Sequence, residues 1–157
     1  MTTDLKQQFW ERIGDVRAGM LAAGDHRAVP MSHFAMQDDN ALWFVTADGT
    51  GVADAAKSGQ SGEYVIGAAD AQLYARVDGR LEHVTDREKL EQIWSPIAAA
   101  WFEDGKEDED VCLVRFSPAS AEVWTTDGGA KFLYEIAKAN LSDDKKPDIG
   151  DHGTVSF

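Results

Sequence analysis

At 157 residues the chain suits one domain, 1–157, long enough to bury a core without a disulfide or metal to hold it. Its formal net charge of −13 opposes binding to nucleic-acid phosphates or anionic membranes, so neither is an expected partner. The single cysteine, Cys112, excludes an internal disulfide; with no signal-type apolar stretch and no run of about 20 apolar residues, the expected location is the cytoplasm.

In chain order, Leu5, Phe9, Ile13, Val16 and Met20 recur at spacings of four and three. That period predicts an amphipathic N-terminal helix within 1–23, ended by Gly24. Residues 28–36 and 41–46 read as strands joined at the turn formers Gln37 to Asn40, a hairpin. Pro30 cannot donate to a ladder, which points to an edge, a strand end or a bulge. A short helix over Val52 to Lys57 follows, with Thr50 as its cap. Strands are expected at 63–68 and 73–84, the latter with a bulge or bend at Gly79. Thr85 to Glu88 reads as a capping box for a helix carrying Leu90, Ile93 and Trp94, which Ser95-Pro96 breaks before Ala98 to Phe102.

Glu103 to Asp110 is almost all charged and reads as a solvated loop, not a calcium loop, because its glycine comes too early. Strands at 111–117 and 120–126 flank the turn signal Ser117-Pro118, and 130–141 is a last amphipathic helix. The polar tail 142–157 ends in Gly153 to Phe157, a candidate terminal strand. The tally is six strands with helices between them and no βαβ rhythm, which predicts a mainly β barrel with peripheral helices.

Most catalytic signatures are missing. No phosphate-cradling G-x-x-x-x-G-K-[ST], no G-x-G-x-x-G and no G-x-S-x-G occurs, and no two of His26, His33, His83 and His152 stand at helical metal-ligand spacing. His33 and His83 fall in predicted strands and read as surface or hydrogen-bonded histidines. Cys112, in an apolar strand without an adjacent cation, reads as a small core residue. No acid, base or nucleophile stands out, so no catalytic residue is named.

Two stretches are similar to a known family. Pro30-Met31, then Leu42 to Thr46 and a small-residue turn into a helix, resembles the cofactor half of the pyridoxamine 5′-phosphate oxidase-like split barrels. Val77 to Gly79, Asp86 to Trp94 and especially the string from Trp94 to Trp124 resemble the general stress protein branch of that family. The resemblance implies a six-stranded split β-barrel, a homodimer, and flavin mononucleotide (FMN) in each of two clefts between the subunits. The flavin ring would lie along the first hairpin, near Pro30, with backbone groups of Met31 and Val45 at its polar edge and Thr46 at the ribityl chain or ring edge. Its phosphate would meet Thr50, Gly51 and Val52 at the helix start, where free N–H groups make an anion site.

Two family cations are absent. Val29 stands where an arginine usually precedes Pro-Met, and Val52 where a lysine usually opens the short helix. Arg27 and Lys57 are the nearby substitutes. The alternative reading is therefore a non-catalytic split-barrel dimer that has lost FMN and holds another small planar ligand or serves a structural role. Trp94, Trp101 and Phe102, at helical spacing, are candidates for the dimer face.

Overall fold

The structure, a computed structural model, describes residues 4–94, 102, 104–127, 129–141 and 150–157. Helix α1 (Leu5–Ile13) starts at Asp4, whose carboxylate accepts the Gln7 amide at 2.9 Å. It seats Phe9 and Ile13 in the core and anchors by Arg12, which donates to the carbonyls of Gln72 and Thr126 at 2.8 and 3.0 Å. The helix predicted within 1–23 stops at Ile13, and Gly19–Ala23 is strand β1. Val16 and Met20 are four apart, a spacing that fits a period of two as well as 3.6. In β1, Leu21 and Ala23 point inward while Met20 is exposed. Gly19 is needed there, because a Cβ would lie 2.7 Å from the Tyr64 ring.

The predicted strand 28–36 splits around Ser32 and His33. Its first part, β2 (Val29–Met31), pairs with β1, and its second, β3 (Phe34–Met36), forms the expected hairpin with β4 (Ala41–Ala47). Strands β5 (Ser61–Ala68) and β6 (Leu73–Val84) follow, joined by the short helix α2 (Gly51–Lys57) to what precedes them.

The two strands predicted around Ser117-Pro118 are one, β7 (Val111–Thr126). Pro118 lies opposite Gly79, where the register shifts between Asp78 and Gly79. A residue without an N–H is tolerated at a bulge. A Cβ on Gly79 would stand 2.5 Å from the Ser117 carbonyl, so the two backbones touch there. Beyond the bulge β7 exchanges its partner β4 for β8 (Gly150–Ser156), the terminal strand.

Among the described residues eight antiparallel strands result, where six were expected, in the order β2-β1-β5-β6-β7-β4-β3 with β8 beside β7. They curl into a split barrel. Leu42, Phe44, Tyr64, Val77 and Phe116 fill the concave side together with α1 and α2. On the other face, Ala41, Trp43 and Leu113 pack beneath α3 (Arg87–Ile93). Asp86, not a Thr85–Glu88 box, caps α3 by accepting the Lys89 amide at 3.0 Å. Helix α4 (Gly129–Asn140) matches the predicted last helix within a residue. The expected break at Ser95-Pro96, the segment from Ala98 and the placement of Trp101 lie outside the described residues. Among those described, no helix is long and apolar enough to cross a membrane.

Candidate functional site

Strand β4 carries the chain to the site. Its alternation turns Leu42, Phe44 and Thr46 to the main core and Trp43 and Val45 to the second cluster. Val45 is half-buried, whereas Thr46, opposite Cys112, is only 9% exposed and must place its hydroxyl on a partner. That partner is Thr50, with the two oxygens 3.1 Å apart. Thr50 donates its own hydrogen to the Ala47 carbonyl at 2.8 Å and accepts the Ala53 amide at 3.2 Å as N-cap of α2. The hydrogen between the two hydroxyls therefore comes from Thr46, and the Thr50 hydroxyl has no donor left for a ligand. The first two amides of α2, Gly51 and Val52, have no carbonyl within the helix to meet.

Val52 contributes its backbone alone. Its side chain is 4% exposed and packed into the core. The loop between β1 and β2 covers the helix start instead. The His26 ring rests on Gly51, where a Cβ would lie 2.7 Å from the ring, so glycine is what admits it. Sequence reasoning passed over His26; no motif marks a contact made between two loops.

On β2, Val29 is 40% exposed and Met31 half-buried, both on the face of Leu21, while Pro30 stands opposite Met20. The Met31 carbonyl accepts the Tyr64 hydroxyl at 2.9 Å. Arg27 is exposed and precedes the strand, so the alternation that would set it on the face of Val29 does not apply. Lys57, in the last turn of α2, reaches back to form an ion pair with Asp48. The pairing holds the Asp48 carboxyl below its usual range and the Lys57 ammonium above its own. The structure thus brings Thr46, Thr50, Gly51 and the Val52 backbone together. It leaves Arg27 in solvent and places a carboxylate on Lys57.

The remaining candidates take structural places. Cys112 is buried, and burial pushes its thiol up against the opposing Lys57 charge. His33 is buried and hydrogen-bonded. Two open depressions, of about 380 and 230 Å³, lie at Met36–Asp39 with Lys89 and at His83–Arg87 with Val111. The predicted site residues line neither. Among the described residues no His, Cys, Asp and Glu cluster is arranged to hold a metal.

The family model described as pyridoxamine 5′-phosphate oxidase like matches residues 4–148. The chain belongs to that family. Within it, the general stress protein 26 of Jannaschia sp. CCS1 is 48% identical and superposes with a TM-score of 0.91, over 99% of this chain and 100% of that one. A general stress family protein of Xanthomonas campestris is 26% identical, with a TM-score of 0.68, over 82% of this chain and 93% of that one. A relative from Xanthomonas citri, described as a general stress FMN/FAD binding protein, is also 26% identical, with a TM-score of 0.71 and the same coverage. No curated protein matches the sequence significantly. This pyridoxamine 5′-phosphate oxidase-like chain falls with the general stress proteins, as the Trp94 to Trp124 string implied.

Proposed function

We propose that the chain binds a flavin in a cleft between two copies of itself, with the ring beside β2 and β4 and any phosphate at the start of α2. The observation that carries this is the start of α2, where the Gly51 and Val52 amides have no carbonyl within the helix to meet and stand beside the Thr46–Thr50 hydroxyls and the His26 ring. Such a pair suits an anion. The flavin-binding name of the X. citri relative supports the ligand class. When bound, a flavin supplies the redox chemistry, and the protein's part is to hold and shield it.

The charge of the site argues for weak use of the phosphate. Val29 and Val52 bring no cation, and Lys57 is paired with Asp48. A charge-assisted contact is worth about 1.5–3 kcal/mol, so a pocket of amides forgoes much of the phosphate's contribution. Ring and ribityl contacts then carry the affinity.

The homodimer is supported by exposed apolar surface. Met20 and Val65 face each other across β1 and β5, and Tyr74 lies on the same side of β6. Three exposed large apolar side chains on one sheet face, beside the short edge strand β2, suit an interface. Light scattering at micromolar concentration is expected to give twice the chain mass of 17.2 kDa; a single-chain mass would contradict the dimer.

The two valines also favour a second reading, a dimer that holds no flavin and takes another planar ligand or a structural role. The purified protein separates the two. Yellow colour, or quenching of added flavin fluorescence at micromolar concentration, supports flavin binding; a colourless protein without quenching moves the chain to the second reading.

A further inference from the structure

The site rests on β2, and β2 rests on two titratable side chains without an assigned role. The Tyr64 oxygen lies 2.9 Å from the Met31 carbonyl and 2.6 Å from His33 Nδ1. On the far side of the ring, Nε2 lies 3.0 Å from the Ile13 carbonyl at the end of α1. His33 is 8% exposed and Tyr64 fully buried.

Three contacts in a row need three hydrogens. The hydroxyl supplies one, and a neutral imidazole supplies one more. With both ring nitrogens protonated, Nε2–H donates to Ile13, Nδ1–H to the Tyr64 oxygen, and the hydroxyl to Met31. With a neutral ring, one contact loses its hydrogen. If Nε2–H is kept, the hydroxyl turns to Nδ1, the shorter contact, and the Met31 carbonyl loses its donor. If Nδ1–H is kept, Nε2 faces the Ile13 carbonyl lone pair against lone pair.

We propose that His33 and Tyr64 form a proton-gated brace for β2: protonation of His33 completes the chain from α1 to Met31, and deprotonation releases the Met31 carbonyl. For its consequence at the flavin cleft the inference rests on the reading above. Among the described residues the titratable contact is between these two groups. Tyr64 is the titratable side chain facing His33 from β5, and β4 adds the Phe44 ring against Tyr64 at 5.1 Å. From α1 comes the Ile13 carbonyl, which also accepts the Val16 amide at 3.1 Å; Arg12 is turned to the Gln72 and Thr126 carbonyls. Burial lowers the His33 pKa, and the Ile13 carbonyl opposes that shift. Burial raises the Tyr64 pKa against a Gly19 amide, which keeps the hydroxyl protonated. His33 is therefore neutral at neutral pH and completes the brace on acidification.

The test uses the full chain without ligand. Met31-Ser32 is the single Met-Ser pair in the sequence, so carbonyl-13C methionine with 15N serine isolates its peptide signal. Between about pH 8 and pH 5, the His33 ring and the Met31 carbonyl are expected to move with one midpoint, with no Met31 step in Tyr64→Phe. A Met31 signal that stays flat while the ring titrates overturns the brace, as does a ring that stays neutral down to about pH 5. Riboflavin titrations on either side of the midpoint then test its reach. The affinity is expected to be about fivefold tighter on the acid side, the weight of one hydrogen bond. An unchanged affinity overturns the gating of the cleft. Absence of riboflavin binding at every pH removes the flavin reading alone, and the brace is judged on the Met31 signal.

Discussion

Removing the Thr50 hydroxyl breaks two supports at once. As N-cap, Thr50 accepts the Ala53 amide, and Thr→Ala at a cap costs about 1 kcal/mol. The second loss is at Thr46, a residue 9% exposed, whose hydroxyl donates to Thr50 and is left without that acceptor. A buried group so stranded costs about 1–3 kcal/mol. Thr50→Ala should therefore lose about 2–4 kcal/mol, and at about 2–4 °C per kcal/mol for a chain of this size the melting temperature should fall by about 4–16 °C. Thr50→Ser keeps the oxygen and should stay near the parent. Thr46→Val in the Thr50→Ala background removes the stranded hydroxyl and should recover part of the loss, giving a coupling of about 1 kcal/mol. Thermal melts by circular dichroism on the parent, Thr50→Ala, Thr46→Val and the double variant complete the cycle, with Thr50→Ser as the control. Additive effects, or equal melting temperatures for Thr50→Ala and Thr50→Ser, would refute the shared hydroxyl pair.

Val52→Lys buries a charge in the core and should cost about 2–4 kcal/mol in urea unfolding, whereas Val29→Arg, on an exposed site, should stay within about 0.5 kcal/mol. Equal costs would show that Val52 is not packed as described. Gly79→Ala presses a methyl onto the Ser117 carbonyl at the bulge and should destabilise by at least about 1 kcal/mol; an unchanged melt would contradict the close approach. The lowered His33 pKa means the unfolded chain binds the extra proton first as pH falls. His33 thus contributes stability that is full above about pH 6.5 and declines as pH drops through its folded value. Denaturant midpoints between about pH 7 and pH 5 should slope downward in the parent and lose that component in His33→Gln; matching slopes would exclude His33 as the source.

Much of the fold is written in local pattern. Leu73, Ala75, Val77 and Leu81 recur at a period of two across 73–84, and the observed strand has those bounds. The short helix and its Thr50 cap follow from one hydroxyl before a run of small residues. Failures occur where a long-range contact overrides the local signal. Ser117-Pro118 reads as a turn, yet pairing to Gly79 makes it a bulge in a continuous strand. Met20 fits a helical face, yet pairing to Pro30 and Val65 makes it an exposed strand residue. The site divides in the same way. Thr46 and Thr50 are four apart and their bond is foreseeable, while His26 reaches Gly51 only through the sheet's curl. The inward turn of Val52, which denies the helix start a cation from that position, depends on packing no motif records.

The central claim, a flavin held mainly by its ring over a phosphate site of backbone amides, is tested most directly by comparing riboflavin with FMN. Fluorescence titrations of both ligands on one preparation, in parent and Val29→Arg, supply four affinities. The account predicts that the parent binds the two within about fivefold, and that Val29→Arg gains for FMN alone, by about tenfold for one charge-assisted contact. A parent preference for FMN of a hundredfold or more, unchanged in Arg27→Ala and Lys57→Ala, would contradict it and place the phosphate elsewhere.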